Sequence, residues 1–254
     1  MTMTTRAQMA AAAFLALAVV AAACDRTETR TLSVTTSSPA GSSTVPSSAA
    51  AERRNDALVR VLQVVPSGTT LDVFAGDLLL FDGLGFKAVT PYRAVDGKRY
   101  AFALRPAGMT QVKALSSNTE DLKDGDFYTA IAMPGDGRGP LLRVVNDHLD
   151  SPSADKARLR IVHAGTDAGQ IDVRAAGSSS ILFDHVDYQT VSDYKDVSPM
   201  NGQLEVLGRG PSAPVGAGTV AHLEAGRFYT LVIVANASTP SKVEVFLIED
   251  ALSR

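Results

Sequence analysis

The hydrophobic positions of this chain fall in short runs separated by turn residues. Leu58-Val59-Arg60-Val61-Leu62-Gln63-Val64-Val65 closes at Pro66-Ser67-Gly68. Leu71 to Ala75 follows, then Gly76-Asp77, then Leu78 to Phe81 with Asp82-Gly83 beyond it. Pro91 to Val95 runs into Asp96-Gly97 and on into Lys98 to Leu104. Val112 to Leu115, Phe127 to Met133 and Leu141 to Val145 complete the series. Short runs of this composition read as strands. An Asp-Gly pair between two of them is a hairpin signal, because both central turn residues need positive φ. No window shows helical periodicity over a useful length. Ser117 to Lys123 is expected to be a loop or one helical turn.

The pattern then repeats. Leu79–Val95, LLFDGLGFKAVTPYRAV, returns as Ile181–Val197, ILFDHVDYQTVSDYKDV. Ala157 to His163 stands against Ala57 to Gln63, Ile171-Asp172-Val173 against Leu71-Asp72-Val73, and Phe228-Tyr229-Thr230 against Phe127-Tyr128-Thr129. Ile248-Glu249-Asp250 matches Val145-Asn146-Asp147. A fixed long period sets the architecture. It predicts an all-β chain with two tandem antiparallel β-sandwich domains of immunoglobulin-like or Greek-key type. Their expected limits are 57–150 and 155–254, divided by the polar segment Asp150 to Asp155.

The N-terminus has a different character. Arg6 precedes the unbroken apolar run Met9 to Ala23, and Cys24 follows. The run is short and rich in Ala for a membrane span, and it has the build of a secretory h-region. Ala21-Ala22-Ala23-Cys24 resembles a bacterial lipobox, with Ala21 where a larger aliphatic is usual. That resemblance implies a lipoprotein signal peptide over 1–23 and a diacylated Cys24. Cys24 is the single cysteine of the chain, so no internal disulfide is available. Residues 24–56 read as a disordered Ser/Thr/Pro tether that cannot bury enough apolar surface to fold. A flexible chain of about 32 residues spans on the order of 30 Å.

The second copy, RLRIVHAGTDAGQIDVRAAG…ILFDHVDYQTVSDYKDV…HLEAGRFYTLVIVA, resembles the domain of unknown function 4397 of bacterial exported proteins. The shared features are His163-Ala164, Asp172-Val173, Tyr188 to Tyr194 and Leu223 to Thr230. The first copy is divergent, with Gln63-Val64 in place of His-Ala and Thr90-Pro91 in place of Ser-Asp. The resemblance implies a β-sandwich in an exported or surface protein and no catalytic mechanism.

Charge and chemistry narrow the function. The net charge of −3 provides no basic footprint, so nucleic acid is not an expected partner. The duplication is a control on candidate sites. His163 faces Gln63, His185 faces Gly83, His222 faces Asp121 and His148 faces Ala251, so no histidine recurs. Asp72/Asp172, Asp82/Asp184, Asp147/Asp250 and Tyr92/Tyr194 do recur, and are expected to set the fold through backbone bonds and core packing. Function is better sought in residues of one copy only. Asp184-His185-Val186-Asp187 with His163 is the best such cluster for a transition metal. Without C-x2-C or H-E-x-x-H spacing it reads as a solvated acidic loop. Asp121 to Asp126 lacks the order of a calcium loop. There is no G-x-S-x-G elbow, and Gly135 to Gly139 and Gly208 to Gly210 lack the helix and Lys of a phosphate loop. No catalytic residue, metal or cofactor is therefore expected. The expectation is a non-enzymatic envelope protein, membrane-anchored through lipid on Cys24, with a binding or structural role toward an envelope protein or glycan. The alternative is an envelope hydrolase or metal-dependent enzyme with its site in the loops of the second copy.

Overall fold

The computed structural model describes residues 56–250 apart from Ser67, Thr69, Arg138, 150–152, Asp167, 209–214, Ala217 and 237–241. The signal-peptide and tether expectations, and Cys24 with them, lie outside the described residues. The first copy contains β1 (Ala57–Gln63), β2 (Leu71–Ala75), β3 (Leu78–Leu84), β4 (Arg93–Val95), β5 (Arg99–Pro106), β6 (Ser116–Asp121), β7 (Phe127–Pro134) and β8 (Pro140–Asn146). The second contains β9 (Ala157–Ala164), β10 (Ile171–Ala175), β11 (Ile181–Val186), β12 (Lys195–Val197), β13 (Met200–Gly208), β14 (Thr219–Leu223), β15 (Phe228–Ala235) and β16 (Val243–Glu249).

Each copy is a sandwich of two four-stranded sheets. The first has β4-β1-β7-β8 against β3-β2-β5-β6, and the second has β12-β9-β15-β16 against β11-β10-β13-β14. The all-β sandwich reading therefore holds. Pairing is antiparallel except for one parallel pair per copy, β1 with β7 and β9 with β15.

The central strands explain their own sequences. Along β1, Ala57, Val59 and Val61 point into the first sandwich, while Leu62, with Val64 just beyond the strand, points the other way. Along β15, Tyr229, Leu231 and Ile233 fill the second sandwich, and Val232 and Val234 face outward from it. Those outward faces meet. Leu62, Val64, Ile131 and Met133 of the first copy pack on Val162, Ala164, Val232 and Val234 of the second. The four sheets thus form consecutive layers, and the middle two are covered on both sides. A strand covered on both faces reads as a near-continuous apolar run, as β7 and β15 do, while Arg60 interrupts β1 and Arg158 and Arg160 interrupt β9.

One segment differs from expectation. β6 is Ser116–Asp121, overlapping the Ser117 to Lys123 stretch read as loop or helical turn, while the expected run Val112 to Leu115 is not a strand and exposes Val112 and Leu115. β6 is an edge strand paired to β5 alone, and its partly buried positions are Ser116, Asn118 and Glu120. A polar edge strand carries no hydrophobic alternation to find it by.

Candidate functional site

The face that each sandwich turns to the other carries a charged residue in mid-strand, Arg60 on β1 and Arg160 on β9, both buried. An unpaired charge there would be costly. Each guanidinium finds its carboxylate in the other sandwich. Arg60 Nη2 donates to Asp250 Oδ1, and Arg160 Nη1 donates to Asp147 Oδ1 at 2.6 Å. Each Nε donates to a threonine of its own sandwich, Arg60 to Thr129 at 3.0 Å and Arg160 to Thr230 at 2.9 Å.

The carboxylates are held from their own side. Thr129 Oγ1 donates to Asp147 at 2.8 Å and Tyr92 Oη donates to Asp147 Oδ2 at 2.7 Å. Thr230 and Tyr194 do the same for Asp250, each at 2.7 Å. Each arginine also lies over a tyrosine ring of its own copy, Arg60 at 4.8 Å from Tyr92 and Arg160 at 4.7 Å from Tyr194. Those rings meet Phe127 and Phe228 edge-on at 5.2 and 5.4 Å. The exchange is reciprocal, the pattern of an isologous dimer interface inside one chain.

Charge states follow from this packing. Burial opposes the charge on Arg160, but Asp147 beside it, with Tyr194 and Asp250, outweighs burial and raises its pKa. Burial, then Asp147, pushes the Tyr92 phenol well above its ordinary value, and burial and Asp250 do the same for Tyr194. Both phenols stay protonated and remain donors to the carboxylates.

A cleft of about 310 Å³ opens beside one half of the network. Asp147, Arg160 and Tyr194 belong to its lining, together with Asn146, His148, Arg158 and Asp193. His148 has φ of +41°, and its N–H donates to Asn146 Oδ1 at 2.9 Å. Arg158 Nε lies 3.1 Å from Asp196 Oδ1.

The residues singled out from the sequence sit elsewhere. His163 is fully buried in β9. Its Nε2–H donates to the Gly169 carbonyl at 2.8 Å, and its Nδ1 accepts from Gly165 N–H at 3.3 Å. Burial lowers its pKa, with the Gly169 carbonyl and Asp187 pulling the other way. His185 is exposed and has φ of +53°, in the position where Gly83 has +61°. Asp184 is exposed with it, at 3.5 Å from the His185 ring, and Asp187 accepts from Gln170 at 2.8 Å. The structure does not gather His163, Asp184, His185 and Asp187 into one group. Among the described residues no three His, Cys, Asp or Glu converge as metal ligands.

The recurrent acids divide in three, and one pair, Asp82 and Asp184, is exposed. Asp72 accepts from Gly83 and Gly108 N–H at 2.8 and 2.9 Å, and Asp172 accepts from His185 N–H at 2.8 Å. These follow the expected turn role and pin the register shifts between β2 and β3 and between β10 and β11. Asp147 and Asp250 depart from it, because they hold arginines instead. Tyr128 and Tyr229 accept backbone N–H bonds from Lys123 and Glu224 at 3.0 Å, whereas the hydroxyls of Tyr92 and Tyr194 go to carboxylates. The arginines were the residues missed. Their signal is a charge at the same place in two strands whose other mid-strand residues, Val59, Val61, Leu159 and Ile161, are apolar.

Comparison with known proteins finds one family model over part of the chain. Residues 57–174 match the model of a domain of unknown function, DUF4397. The match runs from β1 into β10. No curated protein matches the chain. Two solved structures are similar over most of its length. One is a candidate cell adhesion protein from Bacteroides eggerthii DSM 20697, at 10% identity and TM-score 0.19, covering 77% of this chain and 95% of that one. The other is a candidate cell adhesion protein from Bacteroides fragilis NCTC 9343, at 10% identity and TM-score 0.20, covering 79% and 99%.

Proposed function

We propose that this is a lipid-anchored cell-envelope protein that presents two β-sandwiches, tandem copies of one domain, in a non-enzymatic binding or structural role. The observation that carries the reading is the reciprocal network. Arg60, Arg160, Asp147, Asp250, Thr129 and Thr230 are buried, and they are directed at one another across the joint. Groups arranged this way fix two modules in one relation. The apolar run that ends at Cys24 and the Ser/Thr-rich stretch after it supply the anchor and the spacer. Two acyl chains hold a protein on a membrane far more firmly than one.

The test is the intact mass of the mature protein, with a Cys24→Ser variant beside it. The reading expects a chain that begins at Cys24 and carries diacylglycerol, with the lipid absent from the variant. Cleavage elsewhere, or an unmodified Cys24, would make it a freely exported protein and defeat the anchor.

A further inference from the structure

We propose that the cleft beside the Arg160–Asp147 pair binds a neutral, hydroxyl-rich ligand the size of one sugar unit. This rests on the binding role proposed above and gives it a place and a chemistry.

The duplication shows which cleft residues the fold does not require. Tyr194, Arg160 and Asp147 have counterparts in Tyr92, Arg60 and Asp250. The rim does not. Arg158 pairs with Phe228 in the parallel ladder where Leu58 pairs with Phe127, so Leu58 is its counterpart. Asp193, next to Tyr194, corresponds to Pro91, next to Tyr92. His148, after Asp147, corresponds to Ala251, after Asp250. Three apolar positions of one half are thus His, Arg and Asp in the other, and all three line the cleft. Nothing in the shared framework calls for them.

The chemistry of the lining selects the ligand. Arg160 is paired with Asp147 and Arg158 lies beside Asp196, so an anion meets Asp193 and a cation meets Arg158. A hydroxyl both donates and accepts, and suits a rim that offers a guanidinium, a carboxylate and an imidazole. Among the described residues, no hydrogen bond uses the His148 ring or the Asp193 carboxylate, and both residues are exposed. His148 and Asp193 come from different sandwiches, so the clamp between the sandwiches sets their separation. His148 also keeps a left-handed backbone that non-glycine residues seldom adopt, and such conformations cluster at ligand sites. The volume of about 310 Å³ lies at the small end of ligand pockets.

The experiment is saturation-transfer NMR on the full chain with glucose and N-acetylglucosamine, alongside co-sedimentation with purified peptidoglycan sacculi. The comparison protein is the triple variant His148→Ala, Arg158→Leu, Asp193→Pro, which carries the residues of the other half. The single variant His148→Ala covers the case in which the triple variant fails to fold. The expected result is transfer to a sugar, weakened at least tenfold in the variants and unchanged by His222→Ala, an exposed position away from the cleft. Sedimentation with sacculi that the cleft variants also lose would support the same site and identify a polymer as the source of the sugar. No binding to either sugar or to sacculi overturns the proposal, as does binding that the variants leave intact. The lipid on Cys24 is read separately by mass, so the envelope reading stands or falls independently.

Discussion

The two sandwiches are built on one plan and differ where the plan is indifferent. Both place Arg in mid-strand, Tyr and Thr around an Asp, and an Asp under the bulged edge. Gln63 and His163 occupy the same buried place, and each accepts an N–H from two residues ahead, Val65 or Gly165. His163 also finds the Gly169 carbonyl for its second nitrogen, whereas the buried Gln63 Nε2 has no partner among the described residues. Lys87 and Gln189 share a left-handed backbone, with φ of +66° and +65°, and both reach across the joint. Lys87 goes to Glu244, and Gln189 to the Pro134 carbonyl at 3.1 Å. Asn146 bonds Asp126 at 2.8 Å where Glu249 bonds Arg227 at 3.0 Å. The lesson is that backbone tasks are conserved between the halves while the side chains that perform them are exchangeable. At the cleft rim Arg158 meets Asp196 across β9 and β12, where the first copy has Leu58 opposite Ala94.

The largest test of this equivalence is to break one carboxylate at a time. Asp147→Ala leaves Arg160 buried without its partner, and Asp250→Ala does the same to Arg60. Each is expected to cost about 3–5 kcal/mol, a fall in Tm on the order of 10 °C for a chain of this size. Thermal melts should show similar losses for the two, since the network is reciprocal. Next in size is the apolar joint. Ile131→Ala removes a fully buried side chain between the sandwiches and is expected to cost about 2–4 kcal/mol in urea unfolding.

Exchange at the Gln63/His163 place is a smaller effect with a pH signature. Because burial holds the folded His163 pKa below its ordinary value, the unfolded chain takes up the proton first as pH falls. Stability is therefore full above the unfolded value of about 6.5 and declines as pH drops below it. His163→Gln should cost about 1 kcal/mol at pH 8 and flatten the decline between pH 7 and pH 5, measured by urea unfolding across that range. The smallest effect is at the bulge. Gly83→Ala forces a side chain into the left-handed region and should cost about 1 kcal/mol. His185→Gly, at the equivalent position, should change stability by less than about 0.5 kcal/mol, because relief of strain offsets the added freedom of the unfolded chain.

Much of this is legible in the duplication. Recurring runs located the central strands, whereas the left-handed backbone shared by Gly83 and His185 has no signal in that mismatch. Two further things were not legible. β6 has polar inward residues, so no periodicity marked it. The exchange network joins Arg60 to Asp250 across 190 residues, and no local pattern pairs a mid-strand arginine with a distant carboxylate. Both acids were seen to recur, but a recurring Asp beside a turn has a simpler local role, which Asp72 and Asp172 do fulfil.

Differential scanning calorimetry of the full chain, wild type and Asp250→Ala, tests the central claim that the two sandwiches are fused into one unit. One transition is predicted for each, with the calorimetric and van't Hoff enthalpies equal and the variant's transition moved down as a whole. Two transitions, with Asp250→Ala shifting one and leaving the other in place, would mean that the sandwiches fold independently and that the reciprocal network does not bind them together.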